Sequence, residues 1–212
     1  MRCALRNLAL AVAVTSTIQP AYGQTFRDPG QNRQPPLLTT SPTLLASLKR
    51  ISKGSALWRE AIEDVRKTTR RVLVVTPAEV SFTDGSRSQD RKGFDPSVLA
   101  EAIPVVAEDS QVSLVVVVVN LRVIQENHDA RMSVLRQFEA DLDRILVHEI
   151  YGHAVPLLLA GNLTGRCPDP NRGEAASDAC SIRRENAVRA ELGLGRREDP
   201  GIYSLALAMG TR

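Results

Sequence analysis

The stretch His148-Glu149-Ile150-Tyr151-Gly152-His153 constrains this chain more than any other. The sequence holds three histidines, and two of them bracket a glutamate here. Imidazole nitrogens are the usual zinc ligands, and a neighbouring carboxylate can take a proton from a water that the metal activates. The spacing sets a geometric demand. On a regular α-helix, positions i and i+4 lie about 40° apart around the axis, whereas i and i+5 lie about 140° apart. Two histidines five apart therefore converge only if the helix widens locally, as a π-bulge does. Gly152 permits close approach and unusual backbone angles. Pro156 lacks an N–H to bond the Gly152 carbonyl, and its ring pushes that carbonyl aside. The local sequence predicts a departure from α geometry between His148 and Pro156.

His-Glu-x-x-Gly-His resembles the zinc hexapeptide of the dipeptidyl peptidase III family, a lengthened form of the gluzincin motif. In gluzincins the third ligand is a downstream Glu, with an acidic residue four positions later beside the ligands. Glu174-Ala-Ala-Ser-Asp178 is similar to the thermolysin-type Glu-x-x-Ser-Asp pattern and lies at a similar distance from the histidines. Arg184-Glu185-Asn186-Ala187-Val188-Arg189-Ala190-Glu191-Leu192-Gly193 resembles the Glu-Asn-x-x-Arg-x-Glu-x-Gly stretch of bacterial effector and toxin-associated zinc metallopeptidases. The resemblance spans residues 110 to 203 and leaves out the large substrate-binding lobes of dipeptidyl peptidase III. It implies zinc held by His148, His153 and Glu174, with Glu149 as general base and Asp178 orienting a histidine. Glu185 competes for the ligand role, but an i,i+4 ion pair with Arg189 on a solvated face is the plainer reading. Tyr151 and Tyr203 are candidates for stabilising an oxyanion, although tyrosines so placed more often pack. His128 has no evident partner and reads as a solvated polar residue.

The N-terminus reads as an export signal. Arg2 and Arg6 precede an apolar core over Leu8 to Val14, and Ala21-Tyr22-Gly23 offers a small-x-small cleavage site. The apolar run is too short to span a bilayer. Cleavage after Gly23 removes two of the 27 basic residues and none of the 24 acidic ones, leaving a net charge of +1. So near-neutral a chain gives no reason to expect nucleic acid or a membrane surface as partner, nor stable membrane insertion once the signal is gone. In an exported protein Cys167 and Cys180 form an even pair, which favours a disulfide, and the closed loop would contain Glu174.

Residues 24–43, rich in Pro, Gln, Thr and Asn, read as a linker or disordered arm ahead of one domain over 44–212. Ser41-Pro42 predicts a helix start before Leu44 to Ile51, and Ser55 to Arg70 an amphipathic helix. Arg71 to Phe82 is β-like. Residues 84–96 read as loop, and Pro96 to Ala107 as one or two helical turns. Val112 to Ile124 predicts a strand buried on both faces. Asp129 to Ala160 predicts one long helix capped by Gly161, and Glu174 to Leu192 a second helix interrupted near Cys180. A strand, a ligand-bearing helix and a further helix with another ligand form the zincin layout. The expected class is α+β and zincin-like: a small twisted sheet packed on a long active-site helix, followed by a helix carrying the third ligand. The expected function is an exported zinc peptidase, periplasmic or secreted, acting on a peptide or protein substrate. The alternative is a non-catalytic domain of the same shape that binds a protein or cell-envelope partner.

Overall fold

The computed structural model describes residues 35–79, 98–106, 109–130, 138–163 and 173–197, with backbone alone for 129–130 and 173–179. Helix α1 covers Pro42–Gly54 and helix α2 covers Ala56–Lys67. Each starts at a serine. Ser41 Oγ accepts from Leu44 N at 3.4 Å, with Pro42 fixing the first turn, and Ser55 Oγ accepts from Trp58 N at 3.0 Å. Strands β1 (Leu37–Leu38), β2 (Arg71–Val75), β3 (Ala100–Val106) and β4 (Val112–Val119) form one mixed sheet in the order β1-β2-β4-β3. β1, β2 and β4 run parallel, and β3 is antiparallel to β4. The chain is therefore α+β, built on a small four-stranded sheet.

β4 is central and its two faces feed different clusters. Val115, Val117 and Val119 enter the main core with Trp58, Leu142, Leu146 and Ile150. Val116 and Val118 meet Val75 on the other side. Burial on both faces explains why the segment is almost unbroken valine.

Several expectations need correction. Residues 37 and 38 are not part of a loose arm: Leu37 pairs with Val72 and Leu38 with Leu73, adding a parallel edge strand. The segment expected as helical turns between 96 and 107 contains β3. Pro104 disguises it, and proline is tolerated there because β3 lies at the sheet edge. β4 ends at Val119 rather than Ile124. Asn120 Oδ1 accepts from Val123 N at 3.2 Å and starts helix α3, Leu121–Ala130.

The expected rod over 129–160 is not one helix. Helix α4, Phe138–Leu146, runs through a π-helical segment, Val147–Ala154, into helix α5, Val155–Ala160. His128 Nδ1 lies 3.2 Å from Asp141 Oδ2. Thirteen residues of continuous helix would separate them by about 20 Å, so α3 folds back on α4. Helix α6, Gly173–Glu191, passes Cys180 without interruption.

The run from α4 to α5 is fastened at both ends. The buried Asp143 accepts from Arg50 at 2.8 Å and from Ser47, tying α4 to α1. At the far end Gly161 adopts φ 74°, the left-handed cap expected of it. Arg70 Nη1 donates to Leu158 O at 2.7 Å, and Val112 N donates to Gly161 O at 2.8 Å. The segment carrying the histidines is thus held against β4. Among the described residues no helix is long and apolar enough to cross a membrane.

Candidate metal centre

The π-helical segment falls where the spacing of the histidines requires it. The wider turn brings His148 and His153 onto one side, and their Nε2 atoms lie 3.2 Å apart. The rings meet edge to face, with centroids 4.8 Å apart and planes at 86°. Two Zn–N bonds of about 2.05 Å at a near-tetrahedral angle separate their nitrogens by about 3.3 Å. The observed separation fits two ligands of one metal ion.

Both rings are held from behind by α6. Ser181 Oγ lies 3.2 Å from Nδ1 of His153, and Glu185 Oε2 lies 2.5 Å from Nδ1 of His148. Ser181 and Glu185 are four apart, so one face of α6 supplies both contacts. With each Nδ1 engaged, each Nε2 is turned toward the other ring. The close approach of the two helices depends on Gly152. A Cβ at that position would stand 3.1 Å from Ser181 Cβ and 3.3 Å from Ser181 O. Of the two roles expected of Gly152, close approach is the one realised, since its φ is not positive. Arg184 Nη1 donates at 3.4 Å to the Gly152 carbonyl, the group that Pro156 cannot serve. Burial lowers the Arg184 pKa.

Glu185 departs most from expectation. Its ion pair with Arg189 exists, at 2.8 Å, but Glu185 is fully buried rather than on a solvated face. Arg197, also buried, places Nη1 at 3.9 Å from Glu185 Oε1 and 3.5 Å from His148 Nδ1. A carboxylate without access to water needs such partners. The segment bearing Arg197 returns to α6 through Asn186, which accepts from Arg197 N and donates to Arg197 O, both at 2.8 Å. Arg189 Nε adds a bond to Gly195 O at 2.9 Å.

The other candidates divide. Glu149 is half-buried within the π segment. Position 174 lies in the first turn of α6 and position 178 one turn later, but their side chains fall outside the described residues. Tyr203 and Cys167 fall outside as well, while Cys180 is half-buried on α6. Tyr151 packs against the main core, and its pKa is raised, first by burial and then by Glu191 and Glu60. His128 is half-buried and does have partners: Asp141 and the Phe138 ring contact it. Sequence reasoning missed Ser181 altogether. Its only signal was the four-residue spacing of Ser181, Glu185 and Arg189 along one helix face.

Among the described side chains no group of three His, Cys, Asp or Glu is placed to hold a metal. A metal held by His148 and His153 would need a third donor from outside these described side chains. No protein family, curated protein or solved structure matches this chain.

Proposed function

We propose that this chain is an exported zinc-dependent peptidase, a zincin-like metallopeptidase with His148, His153 and Glu174 as ligands and Glu149 as general base. The observation that carries the reading is the convergence of two Nε2 atoms at 3.2 Å, each ring held at Nδ1 from α6. Two His and one Glu form a ligand set that leaves one position open for chemistry. Helical periodicity supports Glu174, because position 174 shares the α6 face of Ser181, two turns upstream. A bound zinc would supply Lewis acidity, lowering the pKa of an attacking water and polarising the peptide carbonyl. Glu149 would take that water's proton on its carboxylate and return it to the departing amine. Ser181 and Glu185 would keep the two imidazoles oriented throughout. A Cys167–Cys180 disulfide, formed on export, would hold the chain near position 174 against α6.

A second reading has one specific support. Ser181, His153, His148 and Glu185 form an unbroken chain of contacts that satisfies all four ring nitrogens without metal. In that case the domain is a non-catalytic binder of a protein or cell-envelope partner.

The test is metal content and turnover of the purified mature protein. One zinc per chain is expected, lost in the His148→Ala, His153→Ala double variant. Glu149→Gln should keep zinc and lose hydrolysis of a peptide library by several powers of ten. Zinc retained by the double variant would remove the ligand assignment. No zinc in the wild type, or zinc bound with no cleavage by either protein, would favour the binding domain.

A further inference from the structure

We propose that Glu185 is a positioning residue: clamped by Arg189 and by Arg197, whose backbone Asn186 fastens, it fixes the His148 ring so that Nε2 is the metal-binding atom. The inference rests on the metallopeptidase reading and gives Glu185 the orienting role that the family resemblance assigns to Asp178. A carboxylate between two guanidinium groups accepts hydrogen bonds, so its 2.5 Å contact with the ring nitrogen favours hydrogen on Nδ1 over the 3.5 Å approach of the Arg197 donor to the same atom. His148 then presents an Nε2 without hydrogen toward His153, 3.2 Å from the Nε2 of that ring. This is the outer carboxylate of a carboxylate–histidine–metal arrangement.

The clamp gives the Glu185-Asn186-x-x-Arg189 pattern a physical meaning. Glu185 holds the ring. Arg189, one turn on, holds the other carboxylate oxygen at 2.8 Å. Asn186, the next residue, fastens the backbone of Arg197, whose guanidinium closes over Glu185. A short returning segment beyond α6 is thereby coupled to the orientation of a ring on another helix.

The test uses the mature protein and zinc as the probe. Zinc affinity is measured by competition with a chelating dye. The His148 ring nitrogens are assigned by NMR in the metal-free protein. The wild type should show His148 with hydrogen on Nδ1. Glu185→Ala should lower zinc affinity about 10- to 100-fold and scatter the ring between tautomers. Glu185→Gln should recover part of that loss, because its amide oxygen can accept the ring's bond while its amide nitrogen cannot accept from Arg189. Asn186→Ala should weaken zinc by a smaller factor and perturb the same ring signals without touching the ring. Hydrogen on Nε2 in the wild type would overturn the inference, as would wild-type affinity in Glu185→Ala. Should Glu185→Ala fail to fold, Asn186→Ala decides, and unchanged affinity with unchanged ring signals overturns it. A wild type that binds no zinc defeats the metallopeptidase reading alone. The tautomer of His148 and its response to Glu185→Ala then uphold or overturn the contact by themselves.

Discussion

At the scale of single residues, Gly152 and Glu185 divide the labour of bringing two helices together. Gly152 supplies absence: without a side chain there, α6 lies close enough for Ser181 and Glu185 to reach the rings. Adding one methyl group asks Ser181 Cβ and the Ser181 carbonyl to retreat by a few tenths of an ångström, and the second is backbone. Gly152→Ala is therefore expected to cost about 1–3 kcal/mol, the usual range for overpacking a tight site. Urea denaturation checks this, and a variant as stable as wild type would mean that the helix pair has slack. Glu185 supplies charge where water is excluded. Its burial could not be read from sequence, because an i,i+4 Glu–Arg pair looks the same on a wet face as under a site. Only the packing of α6 on the π segment tells the two apart.

At the scale of elements, the legible parts were those where chain geometry leaves one solution. Histidines five apart, a glycine between them and a proline three residues on left the helix little choice but to widen, and it does so over Val147–Ala154. The start of α1 and the end of α5 were equally readable from Ser41-Pro42 and Gly161. β3 was not, because Ala100, Glu101 and Pro104 carry weak strand preference and acquire their conformation from the edge of β4. α3 was hidden by the apolar run before it, which Asn120 ends. α6 also caps a neighbour: Glu191 Oε2 accepts from Ser55 Oγ at 2.5 Å and from Leu57 N at 3.1 Å at the start of α2. The Ser55 bond lowers the Glu191 pKa. A carboxylate whose pKa is depressed by folding stabilises the fold above its unfolded value and ceases to as pH falls through the folded value. Melting temperature should thus be higher for wild type than for Glu191→Gln at neutral pH. The gap should close on acidification below the ordinary carboxylate range, and a gap independent of pH would remove Glu191 from this role.

At the scale of the whole molecule, the candidate centre stands where the helical layer is pinned to the sheet from several directions. Asp143 binds α4 to α1, Arg70 and Val112 hold the far end of α5, and α6 closes from behind. The order of strands and the return of α3 onto α4 were beyond sequence patterns, since both depend on contacts between distant segments. The fastening has a consequence for tolerance of length change. A π segment holds one residue more than the α-helix that would join the same two ends, so the flanking helices keep their faces whether or not the extra residue is present. Loss of Tyr151 should remove the widened turn and leave the histidines four apart, about 40° from each other around the axis, with the Gly152 carbonyl still served by Arg184 and not by Pro156. Leu142, Leu146, Leu157 and Leu158 would stay in the core. The shortened protein should fold, with zinc content like that of its parent and weakened packing where the phenol ring is missing. Unfolding on deletion would show that the extra residue is structural in its own right. Survival would make the six-residue and five-residue forms of the motif two lengths of one helix that the same scaffold can accept.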